Sequence, residues 1–274
     1  MELEDLILTN KQYRDHPFAK NPNNGRSYVF HYKNKDKEIL FFGTAHTNKP
    51  EDPLFIDIEK KFKEIKPDIV YVEGWESLNT KRDYVYEVIK NKSINELKLK
   101  GEPHFILKLA IDADIDFESP EPSFRKEIDY LVDNGFTKED IFTYFIYRTI
   151  DQYQRHFKER SISECKKYLI PYIKEFEEYS GWKLIEIKNF EENVIASLDL
   201  ENEEKYNSQV NPIPWENKEI TKINQIASTN SSFRDRYIFK RISEGLKKYN
   251  KLFVLYGSGH AVKLEPAIKK LMNS

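Results

Sequence analysis

The feature that most constrains the fold of this chain is a set of three short apolar runs, Ile39–Phe42, Ile69–Val72 and Leu252–Tyr256. Apolar runs of this length, without alternating polar residues, are typical of strands that are buried on both faces of a sheet. Residues 54–66, between the first two runs, have the spacing of an amphipathic helix. The order strand, helix, strand predicts a right-handed parallel crossover. The chain is therefore expected to adopt an α/β fold.

Further strands complete the expected sheet. Residues 27–32 and 38–42 flank a turn, which predicts a β-hairpin, and residues 115–117 predict a short strand. The result is a central mixed, largely parallel sheet flanked by helices. Residues 123–180 are helical in pattern and rich in aromatic side chains. We interpret them as a helical insertion or cap within a single α/β domain that spans residues 1–274.

The second half of the chain contains other recognisable segments. Residues 182–187 predict a strand, and the proline-containing polar stretch 201–218 predicts a surface loop. Helices are expected at about 232–249 and 263–272, on either side of the third apolar run.

Composition excludes several classes of protein. The 44 Lys and Arg residues are balanced by 46 Asp and Glu residues, whereas a nucleic-acid-binding protein normally has a basic excess. The single cysteine, Cys165, excludes an internal disulfide framework and a cysteine-rich zinc site. No apolar run approaches the roughly 18 residues of a membrane span, and the acidic N-terminus lacks the apolar segment of a signal peptide. We therefore expect a cytoplasmic protein with no membrane span.

Two of the buried strands end in the same motif, a glycine followed three residues later by a histidine: Gly43–His46 and Gly257–His260. By chance about 0.2 such matches are expected in a chain of this composition. Three occur. The third, Gly101–His104, follows a helical segment, and we interpret it as a coincidence.

The repeated motif has a clear physical logic. Glycine allows a sharp turn at the strand end and a close approach of the backbone to a ligand. The histidine then lies beyond the carboxyl edge of the sheet, where ligands bind in open α/β folds. Histidine is also the side chain best suited to proton transfer near neutral pH. A single histidine after a strand is more often a packing or capping residue, but two copies on two buried strands favour a functional site.

Carboxylates follow the other strands. Glu73 ends the second apolar run, and Glu118 and Glu121 follow the short strand at 115–117. If the strands are parallel, Glu73 and one of the other two meet the histidines at the same edge. Arg234 and Arg236 are expected in the first turns of the helix that precedes the third apolar run, where positive charge is disfavoured by the helix dipole. Either an anion or a carboxylate would hold them there, or they form a solvated face.

Together these motifs resemble the TraB/TIKI group, which belongs to the superfamily of the erythromycin-esterase-like and ChaN-like proteins. The resemblance covers residues 37–76 and 230–272 and rests on the following matches: Gly43 with His46, Glu73, Arg234 with Asp235, and Gly257 with His260. The family's glutamate before Arg-Asp is replaced by Phe233, and Arg236 is the alternative arginine. The resemblance implies an α/β fold with helical insertions. Members include metal-dependent peptidases, esterases and proteins that sequester peptide signals, and one branch binds haem.

The first functional hypothesis is a hydrolase of peptide or ester bonds, with two routes open. In the metal route, His46, His260 and Glu73 hold Mn, Co or Zn and leave positions open for water. In the metal-free route, one histidine activates water, Glu73 orients it, and Arg234 or Arg236 stabilises the developing oxyanion. The remaining predicted site positions contact the substrate or give it room; they are Gly43, Gly257, Glu121 and Arg236.

The second hypothesis is a protein that binds a ligand without turnover. Haem or a peptide would occupy the same cleft, with His46 and His260 as ligands, and the aromatic stretch 142–157 would supply apolar walls. For that stretch, an ordinary core of packed helices is the favoured interpretation. In either hypothesis the partner is a small molecule or a peptide and not a nucleic acid.

Overall fold

The computed structural model describes residues 2–21, 27–74, 82–156 and 220–274, together with 169, 173–174, 176–178, 180–183 and 210–212. The chain divides into two compact units. The first comprises Met1–Pro122 and Arg234–Ser274, and the second comprises Ser123–Phe233. The helical insertion predicted for residues 123–180 falls within the second unit. A single domain over residues 1–274 stays a prediction.

A five-stranded mixed sheet is the centre of the first unit. Its strands are β1 (Tyr28–Asn34), β2 (Lys37–Thr44), β3 (Ile69–Val72), β4 (Asp116–Glu118) and β5 (Lys251–Gly257). They are arranged in the order β1-β2-β5-β3-β4. Strand β1 is antiparallel to β2, and the other neighbouring pairs are parallel. The prediction of an α/β fold with a mixed, largely parallel sheet is confirmed.

Burial explains which strands occupy the middle of the sheet. All four residues of β3 are buried, as are the last six of β5 and the last seven of β2. Strand β1 alternates between exposed and less exposed positions and lies at an edge. Its hairpin partner β2 follows after a tight turn, in which Asn34 pairs with Lys37 and Lys35 has a φ of 55°. Strands without polar alternation thus occupy the positions that helices cover on both sides.

Among the described residues of the first unit, a short 3-10 helix (Leu3–Leu6) precedes the helices α1 (Asn10–Asp15), α2 (Pro17–Lys20), α3 (Leu54–Ile65), α4 (Arg82–Lys90), α5 (Ile94–Lys98) and α6 (Glu102–Asp112). The second unit contains α7 (Phe124–Asp133) and α8 (Lys138–His156). Helix α9 (Lys222–Lys248) begins in the second unit and ends in the first, and α10 (Ser258–Met272) follows β5. Both α9 and α10 begin earlier than their sequence patterns indicate.

Apolar side chains cover both faces of the sheet. On one face, helices α3 and α6 contribute Ile58, Phe62 and Ile106 to a buried cluster with Phe253 of β5. On the other face, α9 and α10 pack residues such as Ile242 against β2 and β5. Burying each large apolar side chain stabilises the fold by about 1.5–3 kcal/mol. The two layers of helices are what the continuous apolar strands require.

The second unit has its own aromatic core. Phe142 and Phe145 of α8 are fully buried and pack against Phe124 and Phe176, with ring centroids 4.6–6.0 Å apart. Aliphatic residues of α7 and α9 complete the cluster. For this part of the stretch 142–157, the interpretation as a packed core is therefore confirmed.

Some sequence predictions fall largely outside the described residues. Of the strand predicted at 182–187, the structure describes only Trp182 and Lys183, and of the loop at 201–218 it describes only 210–212. Among the helices of the described segments, none combines the length and the apolar character that a membrane crossing requires.

Candidate functional site

The two glycine-histidine motifs lie on adjacent parallel strands. Thr44 of β2 pairs with Gly257 of β5, so both strands end at the same level. On the other side of β5, Val72 of β3 pairs with Leu255, and the backbone N–H of Glu73 donates to the carbonyl of Leu255 at 3.1 Å. Three neighbouring strands therefore deliver His46, Glu73 and His260 to one edge of the sheet, as their parallel direction requires.

Gly257 marks the point where these side chains converge. Its N–H donates a hydrogen bond of 2.5 Å to Oε2 of Glu73. A Cβ atom placed on Gly257 would lie 3.3 Å from that oxygen, 3.4 Å from Nε2 of His46 and 3.8 Å from Cδ2 of His260. Because this residue has no side chain, the space remains open between a carboxylate and two imidazoles.

Residue 43 is a glycine for a different reason, which is close packing against neighbouring atoms. A Cβ atom there would lie 2.7 Å from Cβ of Ala261 and 2.8 Å from the carbonyl oxygen of Tyr28. These distances are too short for real atoms, so the position requires glycine for packing. Its absence of a side chain allows α10 to approach the end of β2 closely, which brings the start of α10 to the sheet edge.

His260 is held by a buried carboxylate. It is the third residue of α10, and its Nδ1 lies 2.6 Å from Oδ1 of Asp235 on α9. Asp235 is 1% exposed, and its second oxygen accepts a hydrogen bond of 2.9 Å from Nζ of Lys263. Nζ of Lys263 also donates to Oδ1 of Asn10 at 2.6 Å. The chain of contacts runs from α1 through α10 and α9 to the imidazole.

The electrostatics of this chain favour an ionised aspartate. Burial alone would raise the pKa of Asp235, but the positive charges of Lys263 and His260 and their hydrogen bonds outweigh burial and lower it. A carboxylate can only accept, so Nδ1 of His260 carries the proton and donates it. The other ring nitrogen, Nε2, is then the one that can accept a proton from a substrate or water.

Arg234 and Glu121 bind each other. Nε and Nη2 of Arg234 donate to the two carboxylate oxygens of Glu121 at 2.7–3.1 Å. The hydroxyl of Tyr256 also donates to Glu121. Burial raises the pKa of Glu121, yet Arg234 and Tyr256 lower it further than burial raises it, to about 2. The ring of Tyr256 stands edge-on against His260, with centroids 5.1 Å apart.

The other charged residues predicted at this edge lie apart from that pair. Glu118, the alternative to Glu121, forms an ion pair of 2.8 Å with Arg241. Arg236, the alternative to Arg234, is exposed on α9. Of the two candidate arginines, Arg234 is therefore the one whose carboxylate partner is linked through Tyr256 to the histidine.

His46 has an unusual backbone conformation. Its φ is 58°, in the left-handed region that residues with a Cβ rarely adopt. The imidazole lies between two carboxylates, with Nε2 3.9 Å from Oε2 of Glu73 and Nδ1 3.8 Å from Oε2 of Glu102. Strained backbone of this kind is concentrated at functional sites.

The sequence patterns did not single out the residues that support the histidines. Lys263 and Tyr256 carry no motif of their own, and Asp235 enters the sequence pattern only as the neighbour of Arg234. Glu102 lies within the third glycine-histidine match, Gly101–His104. A signal was present there, because a count of three against about 0.2 expected leaves the third match as improbable as the others.

The metal route, one of the two open for a hydrolase, places a divalent cation between His46, Glu73 and His260. Among the described residues, no three or more His, Cys, Asp or Glu side chains are grouped so that they could hold one. Imidazole nitrogens and carboxylate oxygens suit a divalent cation. A histidine that binds a metal through one ring nitrogen commonly donates its other N–H to a carboxylate. Since Nδ1 of His260 is bound to Asp235, only Nε2 could serve as a ligand.

Comparison with known proteins identifies no relative: no protein-family model, no curated protein and no solved structure matches this chain. The resemblance to the TraB/TIKI group rests on the motifs quoted above and stays a prediction. The functional assignment therefore depends on the geometry around Gly257.

Proposed function

We propose that the chain is a hydrolase of the TraB/TIKI type that cleaves a peptide or ester bond. The observation that carries the proposal is the hydrogen bond of 2.6 Å between Nδ1 of His260 and the buried Asp235. A carboxylate that fixes the tautomer of a histidine and leaves the other ring nitrogen to accept a proton is the arrangement of a general base. Glu73 and His46 provide the second half of the site.

His260 accepts a proton from water at Nε2 while the water oxygen attacks the substrate carbonyl. Asp235 holds the ring in position and stabilises the imidazolium that forms. Glu73 orients the attacking water through its carboxylate oxygens. When the tetrahedral intermediate collapses, the proton passes from the imidazolium to the departing amine or alkoxide, so His260 acts first as base and then as acid.

The developing oxyanion needs a hydrogen-bond donor. We assign this role to His46, because Nε and Nη2 of Arg234 donate to Glu121. His46 lies beside Glu73 and Glu102, and its Nε2 reaches to 3.4 Å from the Cβ position of Gly257, where an N–H on that nitrogen can donate to the oxyanion. Arg234 then acts as a positioning residue, since it fixes Glu121 and through it the hydroxyl of Tyr256 beside His260.

A metal cofactor is compatible with the same residues. His46, Glu73 and His260 are the side chains that would hold Mn, Co or Zn, and a bound cation would supply a more acidic water and a polarised carbonyl. Measuring turnover with chelator and with each added cation decides whether the reaction needs one.

The test is a panel of ester and peptide substrates offered to the wild-type chain, His260→Ala and Asp235→Asn. We expect His260→Ala to lower kcat by about 10²–10⁴-fold, the range of general acid–base catalysis, and Asp235→Asn to lower it comparably. His31→Ala is the matched control, because His31 lies on the edge strand β1 and pairs with Glu38 away from the motif. Full activity in both site variants would contradict the proposal.

The ligand-binding hypothesis predicts binding without turnover, which is measured with variants of the same histidines. Without turnover, a Soret band upon haem addition that disappears in His46→Ala and His260→Ala would favour a haem-binding protein. Tight binding of uncleaved peptides that these variants lose would favour a peptide-sequestering protein.

A further inference from the structure

The third glycine-histidine match lies directly against the first. Gly101 precedes α6 with a φ of 94°, and a Cβ placed on it would lie 3.4 Å from the carbonyl oxygen of Thr47. The next residue, Glu102, begins α6, and its Oε1 accepts a hydrogen bond of 2.7 Å from the backbone N–H of Thr47. The segment 101–102 thus lies beside the residue that follows His46, with a hydrogen bond to its N–H and with Gly101 on its carbonyl side.

The hydrogen bond between Thr47 and Glu102 acts on the backbone next to His46, which has a positive φ. The direction of the Thr47 N–H is set by the peptide unit that joins it to His46, whose φ is 58°. A hydrogen bond to a buried carboxylate favours the backbone conformation in which that N–H faces Glu102. Glu102 is 1% exposed, so water does not compete effectively for its oxygens.

The same carboxylate faces the imidazole. Oε2 of Glu102 lies 3.8 Å from Nδ1 of His46, on the side of the ring away from Gly257. The arrangement parallels the second motif, in which Asp235 lies behind Nδ1 of His260. Each imidazole therefore has a buried carboxylate on its Nδ1 side, and Nε2 of His46 lies 3.4 Å from the Cβ position of Gly257.

We propose that Glu102 is a positioning residue, which holds His46 in its left-handed conformation and keeps Nε2 of that ring directed at Gly257. The proposal rests on the proposed function for the reaction that His46 serves, but the geometry of the ring is a separate observable. A purely structural role is the competing explanation, because a carboxylate in the first turn stabilises any helix.

The experiment compares Glu102→Ala and Glu102→Gln with the wild-type chain. The alanine variant loses both contacts, and we expect kcat to fall by about 10²-fold with little change in KM, the effect of misplacing a reacting group. The glutamine variant keeps an oxygen for Thr47 but loses the charge, so it should recover part of the lost kcat. Glu127→Gln is the matched control, since Glu127 is a buried carboxylate in the first turn of α7 and should leave kcat unchanged.

A readout independent of activity is the NMR spectrum of the ring nitrogens of the histidines. We expect the His46 signals to shift in both Glu102 variants while the His260 signals remain unchanged. Unchanged His46 signals together with unchanged kcat would overturn the positioning role and leave the proposed function intact. If His260→Ala retains full activity, the proposed function fails, and the His46 signals alone decide whether Glu102 positions the ring. If Glu102→Ala does not fold, kcat and the His46 signals are measured on Glu102→Gln alone.

Discussion

At the scale of single residues, the candidate site depends on buried ion pairs. Asp235 accepts from both His260 and Lys263, and Glu121 accepts from Arg234 and Tyr256. Burying a charge is costly unless it is paired and its hydrogen bonds are satisfied. In each group the carboxylate has two donors, so removing one partner leaves a charge that the interior cannot solvate.

Replacing Lys263 with methionine should therefore destabilise the fold. Among the described residues Asp235 would keep its contact with His260 but lose its ammonium partner, and breaking a buried pair costs about 3–5 kcal/mol. We expect a loss of this size in the free energy of unfolding measured with urea. Lys269→Met, on the exposed side of the same helix, should change it by less than about 0.5 kcal/mol. Equal effects of the two substitutions would show that the buried pair contributes nothing.

The lowered pKa of Glu121 predicts how the free energy of unfolding depends on pH. Its pKa in the folded state is about 2, against an ordinary value of 4.5. A lowered pKa means that the carboxylate stabilises the fold above about pH 4.5 and that this contribution disappears as the pH falls toward 2. The contribution is on the order of 3 kcal/mol. The gap in unfolding free energy between the wild-type chain and Glu121→Gln should thus narrow from pH 6 to pH 3, and a constant gap would contradict the assignment.

At the scale of elements, the contact between β2 and α10 decides where the second histidine lies. The glycines and the serine after β5 look like a loop, but Gly257 caps α10 directly and His260 falls in the first helical turn. That geometry requires α10 to approach the end of β2, and Gly43 permits it. A side chain at residue 43 would push the helix away from the sheet edge.

Gly43→Ala tests this close approach. The added methyl would overlap Ala261 and the Tyr28 carbonyl, and overpacking of this kind costs about 1–3 kcal/mol. The midpoint of thermal unfolding should fall accordingly. Gly259→Ala is the control, because the atoms nearest to a methyl there belong to the Tyr13 side chain at 3.5–3.9 Å, which are ordinary contacts. If both variants unfold at the wild-type temperature, the packing explanation for Gly43 is wrong.

At the scale of the whole molecule, β5 is the strand on which the first unit is organised. It pairs with β2 on one side and with β3 on the other, although it is formed by residues far along the chain. It also separates the clusters packed by α3 and α6 from those packed by α9 and α10. The site at its carboxyl end is therefore assembled only when the two ends of the chain have come together.

Native-state hydrogen exchange should reflect this organisation. Amides of β5 are hydrogen-bonded within the sheet interior, whereas β1 is an edge strand of the sheet formed by the described residues. We expect β5 peptides to exchange at least about tenfold more slowly than β1 peptides when measured by mass spectrometry. Equal rates would indicate that the sheet opens as a single unit from its edge.

Much of this architecture could be predicted from residue order alone. The apolar runs determined which segments form central strands, because only strands covered on both faces lack polar alternation. The tight turn between residues 34 and 37 determined the hairpin, and the glycine-histidine motifs determined that imidazoles stand at strand ends. These are local properties, set by a few neighbouring residues.

The tertiary structure alone decided which groups support those imidazoles. Asp235 lies opposite His260 because α9 crosses the sheet before β5. Glu102 lies opposite His46 because α6 begins beside the residues that follow β2. Neither partner is close in sequence to its histidine, and a buried carboxylate in a helix has the same local pattern whether it faces a salt bridge or a catalytic ring. Such pairings depend on the packing of distant elements, since burial and charge compensation arise only when the chain is folded.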